Sequence, residues 1–224
     1  MELRTSSSRF GVHSCCCLSL LLYICLLLEN LQFYVFVLGH TDTKLNATGL
    51  KQAELLANSF KSHPSVPVYS SSLSRAKDTA LAICNVLCQD EKQLFPSDIL
   101  IVDDRIREMH LGIFQGLTAN EARKAHPSHW QGYASSDSYI IPNGESMDMF
   151  RNRVLDFFND ICIRHALDEY VIVVTHGGVI DCLRREFTVN SSQFETRCSN
   201  ASISLFQVNG LPEEPKHVSL IDVG

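Results

Sequence analysis

The stretch that decides the fold is Val173-Val174-Thr175-His176-Gly177-Gly178-Val179-Ile180. It closes a near-continuous apolar run that begins at Tyr170, and such a run is typical of a central strand in a parallel sheet. A polar turn with a histidine follows the run, then two glycines, and then the apolar start of a helix. Ligands of open α/β sheets bind at the carboxyl ends of strands, so the sequence predicts a site at this turn.

The residue types in this turn suit an anionic ligand. Gly177 and Gly178 let backbone N–H groups approach an anion, and the start of a helix favours negative charge. His176 can donate a hydrogen bond to a phosphoryl oxygen. A lone histidine is more often a core or loop residue, but the strand–His–Gly–Gly–helix context favours a binding role for His176 and Gly177.

Helices and strands are predicted to alternate along the rest of the chain. Apolar residues at helical spacing indicate helices, and short apolar runs indicate strands. The helices are expected near 53–60, 76–87, 118–126 and 146–161, and the strands at 66–69, 99–102, 170–174 and 202–207. This alternation predicts an α/β domain with three αβα layers and a mostly parallel central sheet. The strand at 99–102 is expected to be buried.

Arg75 is a candidate anion ligand in a second strand–turn–helix segment, residues 69–80. It falls in the first turn of the predicted helix, where a cation is slightly unfavourable for the helix dipole. An arginine placed there can grip an oxyanion with its bidentate fork. A solvated surface arginine is the alternative interpretation.

Glu108 is a candidate proton donor. It follows the predicted 99–102 strand, and Gly112 and Gly116 come four and eight residues later. A carboxyl group close to a phosphate would have a raised pKa and could protonate a leaving group. The alternative is a solvated glutamate before a loop.

Composition restricts the class of protein. The chain has 224 residues, 45% apolar and 20% charged, which suits one ordinary globular domain. Its net charge is −6 without a long Lys/Arg run, which argues against nucleic-acid binding through a basic face. The nine cysteines include no C-x-x-C pair, so neither a zinc ribbon nor a redox pair is indicated. Loosely spaced thiols favour a reducing compartment, and we expect a cytoplasmic location.

Residues 1–38 differ from residues 39–224, and we divide the chain between them. Arg4 and Arg9 precede an apolar run over 15–28, as in a signal peptide, but no A-x-A-like cleavage site follows. A membrane anchor would use residues 15–38, with a costly polar group at Glu29. The third interpretation is that this segment comes from an alternative exon or a misread intron. Contact with a membrane is expected only if the anchor is genuine.

Five segments from Gly39 onward, in this order, resemble the histidine phosphatase superfamily, which has the phosphoglycerate-mutase-like fold. The resemblance covers most of residues 39–208. The segments are Gly39-His40-Thr41-Asp42 with Leu45-Asn46, Ser71-Ser72-Leu73-Ser74-Arg75-Ala76 with Thr79-Ala80, Glu108 with Gly112 and Gly116, Gly144-Glu145-Ser146, and Thr175-His176-Gly177-Gly178. Each motif is modest, and the ordered set is specific.

The resemblance implies a two-step phosphoryl transfer. In this family a histidine of an R-H-G motif, at the end of the first strand, attacks phosphorus and becomes phosphohistidine. Arg75 matches the second phosphate-clamping arginine, Glu108 the proton donor and His176 the second phosphate-binding histidine. Gly39 and Gly177 are grouped with the substrate-binding residues. The family requires no metal or other cofactor, and the expected partner is a small phosphorylated metabolite.

The chain departs from the family upstream of Gly39, where the R-H-G motif should lie. The only histidine there is His13, between Val12 and Ser14. His40 belongs to the segment after that motif, so it is not a substitute. We therefore expect the nucleophile to be absent and the first, central strand to be missing or replaced, with 33–38 as a candidate for its position.

The expected function is that of a phosphatase acting on a small phosphomonoester, impaired in this chain by the absent nucleophile. A non-catalytic phosphate-binding pseudo-enzyme is one alternative. Phosphoglycerate mutase activity is another, but the short stretch between Ser72 and Glu108 favours a phosphatase because it lacks the long insertion associated with glycolytic mutases.

Overall fold

The computed structural model describes residues 19–26, 38–89, 94–165, 170–187, 203–209 and 217–223. Within these ranges, six strands form one sheet in the order β3-β2-β4-β1-β5-β6. The strands are β1 (Ser19–Leu26), β2 (Val68–Ser70), β3 (Leu100–Val102), β4 (Tyr170–Thr175), β5 (Ile203–Asn209) and β6 (His217–Val223).

Helices cover the sheet. They are α1 (Ala47–Asn58), α2 (Ser74–Leu87), α3 (Pro96–Ile99), α4 (Ala119–Ala125), α5 (Pro127–Ser135), α6 (Met147–Arg164) and α7 (Gly177–Phe187). Side chains of the N-cap residues cap the first turns of α1, α4 and α6. Asn46 caps α1 through the N–H of Gly49. Ser146 caps α6, and Thr118 forms the predicted capping box with Glu121 at α4.

The three-layer prediction is confirmed by the way β4 divides its side chains. Val171 and Val173 pack into a core with residues of α6 and α7. Ile172 and Val174 pack into a second core with residues of α1 and α2. All six β4 residues are buried, as expected of a strand covered on both faces.

The sheet is mostly parallel, as predicted. β2 runs parallel to β3 and β4, and β1 runs parallel to β4. β5 is antiparallel to both β1 and β6. The carboxyl ends of the four parallel strands therefore lie at one edge of the sheet, where the predicted site residues follow β2 and β4.

The central position between β4 and β5 is held by Ser19–Leu26. The suggestion that 33–38 fills it is wrong, because Leu38 lies outside any strand and the position belongs to β1; residues 33–37 lie outside the described ranges. The apolar run considered as a signal peptide or anchor thus contributes a strand. No helix among the residues described has the length and apolar character needed to span a bilayer.

The burial predicted for 99–102 is also wrong. Only Leu100–Val102 forms the strand, and it lies at the edge of the sheet with β2 as its neighbour. Ile101 is 41% exposed and Val102 is 48% exposed. An apolar run alone does not distinguish an edge strand from a central one, because strand order depends on long-range pairing.

Candidate active site

The centre of the candidate site lies where β2 and β4 end side by side. Ser70 pairs with Val174, and the N–H of Ser71 donates to the Val174 carbonyl at 3.0 Å. His176 and Ser71 therefore leave adjacent strands together, and His176 Nε2 lies 2.7 Å from Ser71 Oγ. Both residues are buried. This hydrogen bond fixes the imidazole at the carboxyl edge of the sheet.

His176 is held in its neutral form. Burial lowers its pKa well below the ordinary 6.5, and the nearby Arg75, His40 and Arg153 add to the effect by electrostatic repulsion of a proton. The charges of Arg75 and Arg153 thus reach the position of His176, which makes this corner of an acidic protein locally suited to an anion. A bound phosphoryl group would offset that positive potential.

The lowered pKa of His176 predicts a pH-dependent stability. Below pH 6.5 the unfolded chain binds more protons than the folded chain, so the stabilisation is complete above 6.5 and is lost as pH falls. We expect the free energy of unfolding to drop between pH 6.5 and 5.5, by at most about 1.4 kcal/mol per pH unit for each such histidine. Urea denaturation at a series of pH values measures this drop. His176→Gln should flatten the slope, and an unchanged slope would contradict the assignment.

Arg75 is buried in the first turn of α2, as the sequence predicts. Its Nη1 donates to the carbonyl of Thr41 at 2.9 Å, and its Nη2 donates to the carbonyl of Gly39 at 3.1 Å. Arg75 therefore binds the segment that begins at Gly39, and its charge reaches both His176 and Glu108. The guanidinium thus has a structural role as well as the position expected of an anion ligand.

Asp42 joins the same segment to α2 from outside the helix. No side chain of the N-cap residue Leu73 caps α2. Asp42 supplies this cap instead, because its two carboxylate oxygens accept from the backbone N–H of Ser74 at 2.6 Å and from the Ser74 hydroxyl at 2.8 Å. Burial is the largest single influence on the Asp42 carboxyl group and acts to raise its pKa. The two hydrogen bonds from Ser74 act in the opposite direction, and the pKa of Asp42 is lowered overall.

The side chain of Glu108 contacts the first turn of α7. Its carboxylate accepts from the N–H of Met109 at 2.9 Å and from the N–H of Gly178 at 3.3 Å. Burial raises its pKa above the ordinary 4.5, although those two N–H groups and the charges of Arg75 and Arg153 oppose the shift. A carboxyl group that keeps its proton at higher pH than usual is suited to proton donation.

Gly178 leaves room for the Glu108 carboxylate. A Cβ on residue 178 would overlap Glu108 Oε1, which is the far end of a flexible side chain and can move. We expect Gly178→Ala to displace the carboxyl group toward solvent and to return its pKa toward 4.5, with the unfolding free energy changed by less than about 1 kcal/mol. Carboxyl-carbon NMR titration, with Glu108→Gln to assign the signal, measures the shift. An unaltered Glu108 titration would refute the contact.

Glu145 and Arg153 hold the loop that carries Glu108. Arg153 Nη2 lies 2.7 Å from Glu145 Oε1, and Arg153 Nε donates to Oε2 at 3.0 Å. The same guanidinium donates to the carbonyls of Arg105, Arg107 and Glu108 at 2.6, 2.9 and 2.9 Å. Glu145 also accepts from the N–H of His110 at 2.7 Å. One ion pair thus fixes residues 105–110 beside the site.

All five predicted site residues are brought to one edge of the sheet. His176 follows β4 directly and Gly177 begins α7. Arg75 lies in the first turn of α2 and bonds to Gly39, and Glu108 accepts from the N–H of Gly178. The roles of Ser71, Asp42 and Arg153 were not predicted from the sequence. Arg153 gave a usable signal, because it is a cation flanked on α6 by the buried Phe150 and Val154.

The described residues contain no cluster of three or more His, Cys, Asp or Glu side chains placed to hold a metal ion. The chemical groups at the site are instead two arginines, neutral imidazole and a carboxyl group of raised pKa. Such a set is chemically suited to a phosphate monoester dianion and to proton donation to a leaving group.

Comparison with known proteins defines the class. The model of the histidine phosphatase superfamily (branch 1) matches residues 33–218. The metal-independent phosphoserine phosphatase of Arabidopsis thaliana is 38% identical over 170 residues, which cover 75% of this chain and 67% of that protein. Phosphoglycerate mutase-like protein 4 of the same plant is 33% identical over 173 residues, covering 76% and 71% of the two chains.

Solved structures agree on the fold. A mycobacterial glucosyl-3-phosphoglycerate phosphatase superposes with a TM-score of 0.65 at 25% identity, over 91% of this chain and 97% of that one. The α-ribazole phosphatase of Shigella flexneri superposes with a TM-score of 0.67 at 19% identity, over 91% and 95%. The chain belongs to the histidine phosphatase superfamily, branch 1, as its five ordered motifs predict.

Proposed function

We propose that this chain binds small phosphomonoesters at the edge formed by β2, β4 and α7, and that its ester hydrolysis is impaired. The observation that supports the first part is the convergence of His176, Arg75 and Glu108 at one edge of the sheet. His176 and Arg75 supply hydrogen-bond donors for the phosphoryl oxygens, and the guanidinium of Arg75 supplies positive potential. Glu108 supplies the proton for a leaving alcohol.

The names of the relatives support the choice of ligand class. They include a phosphoserine phosphatase and a glucosyl-3-phosphoglycerate phosphatase, which act on phosphate esters of small hydroxylated metabolites. A phosphatase is favoured over a mutase because the stretch between Ser72 and Glu108 is short and lacks the long insertion associated with glycolytic mutases.

The sequence at the end of β1 supports the proposed impairment. Leu26 pairs with Thr175, the residue before His176. In the family, the nucleophilic histidine of the R-H-G motif stands at the end of the first strand. Here the sequence continues Leu26-Leu27-Leu28, and an alkyl side chain has no lone pair with which to attack phosphorus.

The test separates binding from turnover. Calorimetric titration with inorganic phosphate and phosphoserine should show binding that Arg75→Gln and His176→Gln each weaken at least about tenfold, the loss of one charge-assisted hydrogen bond. Arg164→Gln is the matched control, since Arg164 is the last residue of α6 and its guanidinium donates to Asp160. Thermal unfolding confirms that each variant is folded.

Turnover is measured on the same protein with an aryl phosphate. We expect none above background, and no acid-labile phosphohistidine. Robust hydrolysis that is lost in His176→Ala but kept in His13→Ala and His40→Ala would refute the impairment. Transfer of phosphate between phosphoglycerates would establish a mutase instead.

A further inference from the structure

His40 is half-buried, and its ring carries a buried nitrogen that has no role in the phosphate site described above. Its Nε2 is buried and has no hydrogen-bond partner among the residues that the structure describes. Buried polar atoms nearly always have a partner, and a ligand or an ordered water supplies it when the protein does not. This nitrogen is therefore a candidate ligand contact.

His40 is fixed beside the candidate site by contacts on several sides. Its backbone N–H donates to Gln115 Oε1 at 2.6 Å. The preceding Gly39 adopts φ = 53°, a left-handed conformation in which a Cβ would also overlap the Gln115 amide. The ring packs against His110 with 4.4 Å between centroids, and its charge would be felt by His176 and Glu145.

The tautomer of His40 follows from its neighbours. Burial and the nearby His110 lower its pKa, so the ring is neutral at pH 7, while a hydrogen bond to the Glu108 carbonyl acts in the opposite direction. Since Nε2 has no partner among the described residues, the hydrogen bond to the Glu108 carbonyl is made by Nδ1. A carbonyl oxygen only accepts, so Nδ1 carries the proton and Nε2 presents a lone pair.

We propose that His40 is a specificity-determining residue whose Nε2 accepts a hydrogen bond from a hydroxyl or ammonium group in the alcohol part of the bound phosphomonoester. An ester with such a donor satisfies the buried nitrogen, and an ester without one leaves it unpaired. Sites built to hydrogen-bond a polar group discriminate against analogues that lack it. This inference rests on the proposed phosphomonoester binding and adds the chemistry of the alcohol.

Three esters of nearly equal size test the inference by calorimetric titration of the full chain: 2-hydroxyethyl phosphate, 2-aminoethyl phosphate and ethyl phosphate. Inorganic phosphate is titrated alongside them. At least one donor-bearing ester should bind about tenfold more tightly than ethyl phosphate, as expected for one hydrogen bond to a buried acceptor. His40→Phe keeps a ring against His110 and removes the acceptor, so it should abolish that preference and leave the affinity for ethyl phosphate unchanged.

His63→Phe is the matched control, because His63 lies beyond the carboxyl end of α1 and packs on Phe60 and Tyr170, away from the site. It should keep the preference. Equal binding of all three esters by the unmodified chain overturns the inference, and so does a preference that survives His40→Phe. Either result leaves the phosphate site intact and assigns the Nε2 contact to water. Failure of inorganic phosphate and every ester to bind overturns the phosphate site and the inference together.

Discussion

Replacing Leu26, Leu27 and Leu28 with Arg, His and Gly is expected to give this chain phosphatase activity. The triple substitution places an R-H-G motif at the end of β1, where the register sets residue 26 opposite Thr175. By the family's pattern, the histidine supplies the missing nucleophile and the arginine is a phosphate ligand. Loss of a nucleophile costs enzymes several orders of magnitude in kcat, so we expect a gain on the order of 10³-fold or more in aryl phosphate hydrolysis.

The matched control changes the same three positions to Arg, Gln and Gly. Glutamine keeps polarity and approximate size but forms no phosphorylated intermediate, so this variant should remain at background. Acid-labile phosphohistidine should form only in the variant with histidine. A histidine variant that binds inorganic phosphate yet gives neither phosphohistidine nor turnover would contradict both the register and the assigned roles of Arg75, Glu108 and His176.

Arg153→Ala is expected to lower the free energy of unfolding by about 3 kcal/mol. The substitution leaves the buried Glu145 carboxylate without its partner, since the side chains are only 20% and 11% exposed. It also removes the donors that bind the carbonyls of Arg105, Arg107 and Glu108. Urea denaturation measures the loss.

Arg151→Ala is a control on the same helix. Arg151 bonds to Glu186 at 2.6 Å, as short as the pair of Arg153, but its side chain is 51% exposed. Exposed pairs contribute little, so the cost should stay below about 1 kcal/mol. Equal losses from the two substitutions would show that the Arg153 pair does not hold the loop. If Arg153→Ala fails to fold, Arg153→Lys gives an intermediate value.

Local patterns predicted much of the structure. The apolar run of 170–174 and the helical spacing of apolar residues in 76–87 and 146–161 are local signals, and each gave the correct element. That the candidate residues meet at one edge was predictable for a related reason. The carboxyl ends of parallel strands lie at the same edge of a sheet, whatever the order of the strands.

Predictions that depended on distant partners were less accurate. Strand order decides whether 99–102 is buried, and it also decides which apolar segment fills the central position. Both depend on pairing between residues far apart in the chain. Arg153 and Gln115 gained their roles in the same way, because each contacts backbone more than forty residues away. Sequence periodicity holds no record of such contacts.

The position of β1 has a consequence for how the chain folds. Within the sheet, β5 and β6 reach the parallel strands only through β1, and Ser19 pairs with Asn209 at the far end of the sequence. Closing a loop of that length is entropically costly, so this pairing should form late. Amide hydrogen exchange in β5 and β6 should therefore depend on how stably β1 is paired. Substitutions that weaken the pairing of residues 19–26 should speed exchange in the β5–β6 hairpin before they affect the other strands.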